Sequence, residues 1–98
     1  MAKAIVWTIR ANSSFNKIVA FLEKEWGDKV TSSFVQRSYS IIELLANQPE
    51  LGTLEVAEHN IHGFLITKHN RLFYRFTDDE LVLLNFFDTR SGSKRRRH

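Results

Sequence analysis

Apolar residues follow two different periods along the 98-residue chain, and the change falls near its middle. Residues 4–9 form a short apolar run rich in β-branched side chains and Trp, which predicts a strand. Asn12, Ser13 and Ser14 then offer N-cap side chains for a first helix. Its apolar face is Phe15, Ile18, Val19, Leu22 and Trp26, spaced as one side of a 3.6-residue period, and Gly27 ends it. Asp28 caps a second helix with Val30, Phe34, Ile41 and Leu45 on one face, Ser38 filling the intervening turn and Ile42 beside it. Pro49 stops that helix, and the short connection at Gly27 makes the two helices a hairpin. Beyond Gly52 the period shortens. Residues 54–56 read as a short strand, and 61–67, 71–77 and 81–88 as longer ones joined at Lys68-His69-Asn70 and Asp78-Asp79. The last strand is apolar on both faces and is expected to be central and covered. The fold class is α+β: an N-terminal strand, a helical hairpin, then a three-stranded antiparallel meander forming one sheet packed by both helices. Trp7 and Trp26 are read as core anchors, and Tyr74 as a half-buried strand residue.

Composition narrows this picture in two ways. The chain has no cysteine, so disulfides and thiolate metal sites are excluded, which suits a reducing compartment. The first apolar run is too short for a signal-peptide core, and no segment approaches the ~20 apolar residues of a membrane span. A cytoplasmic protein with no membrane partner is therefore expected. The net charge of +3 is unevenly distributed: Arg90, Lys94, Arg95, Arg96 and Arg97 crowd the end, while the preceding 89 residues carry nine basic and eleven acidic side chains. The positive field belongs to the end of the chain. Residues 1–90 are expected to form one domain, and 91–98 a flexible basic tail that meets phosphates or an acidic partner.

Several local features occur together in one order. Ile5-Val6-Trp7-Thr8 leads through Ala11 into the first helix, and Trp26-Gly27 separates the helices. Pro49-x-x-Gly52 follows the second helix, and Lys68-His69-Asn70-Arg71-Leu72-Phe73-Tyr74-Arg75 occupies the central hairpin. Asp78-Asp79 makes the next turn, and Phe87-Asp88-Thr89-Arg90 closes the series. With this ordered set the chain resembles the RelE/ParE superfamily of toxins from type II toxin–antitoxin, plasmid-stabilisation systems, along nearly its whole length. The resemblance implies the sheet-and-hairpin fold, growth arrest as the activity, and a cognate antitoxin protein as partner.

For the ribosome-dependent nucleases of the superfamily, the resemblance further implies a site. Arg71 matches the basic residue beginning the central strand, Arg90 the one after the last strand, and Lys68 a stretch where catalytic lysines occur. His98 alone stands near the C-terminus, where these nucleases place a tyrosine or histidine. Start and end of neighbouring antiparallel strands share one sheet end, so Arg71 and Arg90 can converge on one phosphate. Lys94, Arg95, Arg96 and Arg97 would add contacts to nucleic acid. Such an enzyme needs no cofactor. It passes a ribose 2′-hydroxyl proton to a base while donors hold the phosphate, with the ribosome and mRNA as partners. His59 and His62 have His-x-x-His spacing but no third ligand, and no metal is expected. The missing C-terminal tyrosine keeps an alternative open, a non-enzymatic ParE-type toxin that inhibits DNA gyrase, and beside it a binding domain whose toxicity has decayed.

Overall fold

The chain begins with a parallel strand pairing that links its two ends. In a computed structural model, which describes residues 2–89, the strand β1 (Ala4–Trp7) runs parallel to β5 (Glu80–Asp88), Ala4 facing Glu80 and Trp7 facing Leu83. Between them lie the helices α1 (Ile9–Trp26) and α2 (Asp28–Asn47), a 3-10 turn at Pro49–Leu51, and strands β2 (Thr53–Val56), β3 (Ile61–Thr67) and β4 (Asn70–Phe76). The five strands form one sheet in the order β1-β5-β4-β3-β2, antiparallel except at β1. The α+β class and the meander agree with the sequence reading. β5 is internal, and residues 54–56 belong to a strand that adds a fifth member at the far edge.

The first helix starts earlier than its sequence suggests. Thr8 is the N-cap, its Oγ1 accepting from the Ala11 amide at 3.1 Å, so β1 ends at Trp7 rather than at residue 9. Ile9, which reads as the last strand residue, is 90% exposed on the first turn, while Ala11 is fully buried. Asn12, Ser13 and Ser14 are therefore helical. Ser14 has a different task, because β1 pairs only with Glu80 to Leu83 and leaves the rest of β5 without a neighbour on that side. The Phe86 amide donates to Ser14 Oγ at 2.9 Å, and Thr8 Oγ1 donates to the Leu83 carbonyl at 2.8 Å. Helix side chains thus satisfy the strand edge where the ladder stops. Ser14→Ala is expected to cost about 1–3 kcal/mol, because it orphans the part-buried Phe86 amide, and urea unfolding measures it.

Ala11, Phe15, Ile18 and Leu22 of α1 meet Phe34, Ile41, Ile42 and Leu45 of α2 over Ile66, Leu72, Tyr74, Leu81, Leu83 and Phe86. Trp7 joins them, its ring 5.3 Å from Phe15 and 5.6 Å from Phe86. Gly27 breaks the helices apart at φ 88°, a left-handed backbone that a side chain would strain. Two apolar positions of the expected helix faces lie outside this core. Trp26 and Val30 flank the break at Gly27 and both are exposed, so Trp26 is not the core anchor expected. Tyr74 is wholly buried rather than half-buried, because both its ring and its hydroxyl are used. Among the described residues no helix is long and apolar enough to cross a membrane.

Candidate functional site

Both helices lie on one side of the sheet, so the alternation along each strand leaves a second face uncovered. On β4, Leu72 and Tyr74 are buried while Arg71, Phe73 and Arg75 point the other way. Each two-residue step covers about 6.8 Å, so the two arginine positions stand about 14 Å apart with an aromatic ring between them. Cross-strand register places Leu65 on one side of Arg71 and Phe87 on the other, both large apolar side chains open to solvent. Arg71 is thus a guanidinium set between two exposed apolar side chains, one aliphatic and one aromatic.

A carboxylate completes the arrangement. Arg71 Nη1 donates to Glu55 Oε2 at 3.0 Å, and each side chain is about one-third exposed. Glu55 reaches Arg71 because the β2–β3 register shifts between Leu54 and Val56, leaving Glu55 as the unpaired residue of a bulge. Gly63 lies beneath the pair: a Cβ there would stand 2.8 Å from both Arg71 Nη1 and Glu55 Oε2. The turn leading into β2 is fastened from below by Tyr74, whose hydroxyl donates to the Pro49 carbonyl at 2.5 Å and accepts from the Gly52 amide at 3.0 Å. Burial pushes the Tyr74 hydroxyl above its ordinary pKa, the nearby Glu50 carboxylate adds to this, and the Gly52 hydrogen bond opposes it. Pro49-x-x-Gly52 thus acts as a latch that sets where Glu55 lies.

Of the residues expected from sequence, Arg71 lies on the uncovered face. Lys68 is exposed at the β3–β4 turn and lines a cleft on the helix side, so the structure does not join it to Arg71. Arg90, Lys94, Arg95, Arg96, Arg97 and His98 lie outside the described residues. His62 is buried against Tyr74, their rings 5.6 Å apart. His59 instead lines a shallow hollow of about 510 Å³ beside Arg75, Glu58 and Leu84 on the uncovered face. Among the described residues no group of three or more His, Cys, Asp or Glu side chains is placed to hold a metal ion. Glu55 was invisible to motif reading, since 16 residues separate it from Arg71. Its signal is the strand alternation that turns Thr53 and Glu55 to the same side as Arg71.

The sheet-and-hairpin arrangement is shared with known proteins. A family model described as ParE toxin of type II toxin-antitoxin system, parDE, matches residues 5–94. A chain from the chromosomal ParDE system of P. aeruginosa superposes with TM-score 0.72 at 15% identity, covering 89% of this chain and 96% of that one. A YoeB/ParE toxin from Agrobacterium tumefaciens gives 0.62 at 16% identity, over 87% and 96% of the two chains. A chain of the RelBE2 toxin-antitoxin complex from Mycobacterium tuberculosis gives 0.61 at 16%, over 90% and 99%. At these identities the structural likeness concerns the fold. No curated protein matches at the level of sequence.

Proposed function

The chain belongs to the ParE toxin family of type II toxin–antitoxin systems, and from that membership we propose that it arrests growth by cutting mRNA on the ribosome. A cognate antitoxin keeps it silent until released. The observation that carries this reading is the Arg71–Glu55 pair over Gly63 on the uncovered sheet face. An incoming phosphate competes for the Arg71 guanidinium, which binds it in bidentate fashion and holds the charge that builds on phosphorus. Glu55, released from its partner, takes the proton of the neighbouring ribose 2′-hydroxyl. The 2′-oxygen attacks phosphorus, a 2′,3′-cyclic phosphate forms, and the 5′-oxygen departs with a proton from a general acid, for which His98 is the sequence's candidate. Arg90 adds a second cation on the phosphate, and Lys94, Arg95, Arg96 and Arg97 meet the ribosomal RNA backbone. DNA lacks the attacking hydroxyl and is not a substrate for this chemistry.

A second reading, inhibition of DNA gyrase without catalysis, is favoured by one observation. Among the described residues no histidine or tyrosine hydrogen-bonds to the Arg71–Glu55 pair, so no general acid stands beside it there. Brief induction followed by mapping of RNA 5′-hydroxyl ends separates the two. Cuts in step with the reading frame support the nuclease, whereas intact transcripts with lost supercoiling by purified gyrase replace it with the second reading.

Gly63→Ala is the most selective probe of this site. The atoms it would crowd are the far ends of two side chains, so the pair swings aside at little cost to the fold. The expected outcome is a melting temperature within about 5 °C of the parent and a loss of toxicity on induction.

A further inference from the structure

A bulge in β5 turns one more polar side chain onto the uncovered face. Leu81 and Leu83 are buried, so unbroken alternation would bury Asn85 as well. Instead the register shifts, Leu84 is left without a cross-strand partner, and Asn85 comes to lie opposite Phe73 of β4. Both residues are half-buried. On its other side Phe73 faces Gly63 of β3, over which the Arg71–Glu55 pair leans. The ring therefore stands between an ion pair on the β3 side and a carboxamide on the β5 side. Among the described residues no hydrogen bond reaches the Asn85 carboxamide, and no other ring stacks on Phe73. A half-buried carboxamide carries donors and an acceptor that call for partners. The row of Gly63, Phe73 and Asn85 lies one two-residue step, about 6.8 Å, from the row of Arg71.

We propose that Phe73 and Asn85 read the base on the 3′ side of the cut and select adenine, an inference that rests on reading the chain as a nuclease working at the Arg71–Glu55 pair. The base lies on the Phe73 ring, and its edge meets Asn85, which donates from Nδ2 and accepts at Oδ1. The side of the cut follows from the order across the sheet. Glu55 takes the proton of the 2′-hydroxyl on the 5′ side of the scissile phosphate, and it reaches that phosphate from over Gly63. Asn85 stands on the other flank of β4, so the base it meets belongs to the nucleotide that leaves with the 5′-oxygen. The choice of base follows from the carboxamide. A donor beside an acceptor complements adenine, whose 6-amino group is flanked by the ring nitrogens N7 and N1, so either exposed edge fits. Guanine presents two acceptors at N7 and O6, and one of them opposes Oδ1. Cytosine and uracil offer a complementary edge but cover less of the ring.

The test is single-turnover cleavage on stalled ribosomes, with messages that differ only in the nucleotide after the cut. The parent is expected to cut before adenine about tenfold or more faster than before uracil, the usual discrimination of a bidentate base contact. In Asn85→Ala that ratio falls to near one. Asn85→Asp keeps the size but has no donor, and it lowers the ratio likewise. Each ratio is taken within one variant, so a loss of folded protein or of overall rate does not move it. Replacing that adenine with purine, which lacks the 6-amino group, should slow the parent by a similar factor and leave Asn85→Ala unchanged. Equal rates before all four bases, a preference for another base, or an adenine preference that survives in Asn85→Ala would each overturn the base-reading role and leave the nuclease reading intact. If the parent cuts none of the messages, the nuclease reading fails and the base-reading role with it.

Discussion

Replacing Arg71 with alanine is expected to slow ribosome-dependent cleavage by about 10²–10³-fold, the usual loss when one donor to a developing oxyanion is removed. Glu55→Gln, which keeps the shape but cannot take a proton, should cost about 10²–10⁴-fold. Neither change should disturb the fold. The pair is about one-third exposed, and ion pairs of that kind contribute roughly 0–1 kcal/mol. Because both residues serve one step, the double variant should lose little more than the worse single variant. The measurement is single-turnover cleavage of mRNA on stalled ribosomes, run beside thermal melting. A parallel fall in melting temperature and rate would make Arg71 a strand-stabilising residue and return the cleavage proposal to its gyrase alternative.

Tyr74→Phe should give the largest stability effect among conservative changes. It strips a hydroxyl that both donates to Pro49 and accepts from Gly52, leaving a carbonyl and an amide without partners. Such orphaned groups cost about 1–3 kcal/mol each, and about 2 kcal/mol lowers the melting temperature of a domain this size by roughly 10 °C. There is also a pH signature. Burial raises the Tyr74 pKa in the folded state, whereas the unfolded residue titrates near 10.0. The unfolded chain therefore loses this proton first. The stabilisation is complete below pH about 10 and is lost as the pH climbs through the higher folded value. Urea unfolding at pH 8 and pH 11 should show a smaller alkaline loss for the phenylalanine variant than for the parent, and an equal loss would remove Tyr74 from the account. Activity adds a further readout: with the latch open, Glu55 shifts, and cleavage falls more than unfolding alone explains.

The main elements were legible because burial imposes its periods on the sequence, and departures from the reading have local causes. Residues 81–88 read as apolar on both faces, but the face actually switches. Leu81 and Leu83 are buried, Leu84 is the extra residue of a bulge, and Phe86 and Asp88 then resume the buried phase. The start of α1 was misplaced because Ile9 looks like a strand residue and Arg10 and Asn12 interrupt the apolar face at the very turn where Ala11 is buried. Arg71 is singled out as a candidate by the residues around it, which are contiguous in the chain. Glu55 is not, since its place beside Arg71 depends on three strands in register and on a bulge that propensity does not encode. Nothing in the pattern around Arg37 marks it either, since its acceptor, the Ile66 carbonyl, lies 29 residues away.

The parallel pairing of β1 with β5 carries a consequence for when the protein becomes dangerous during synthesis. Leu83 is made 76 residues after Trp7, its partner in the ladder. At about 5–20 residues per second, that is an interval of roughly 4–15 s in which the first strand has left the polymerising centre and its mate does not exist. Sheet closure between distant segments is slow even afterwards, because chain entropy must be surrendered before any contact rewards it. The sheet face bearing Arg71 is flanked by Phe87 of the last strand, so it is complete only once that strand has been made. For that interval the apolar face of the helical hairpin has no last strand to pack on, and an antitoxin present during synthesis meets it open.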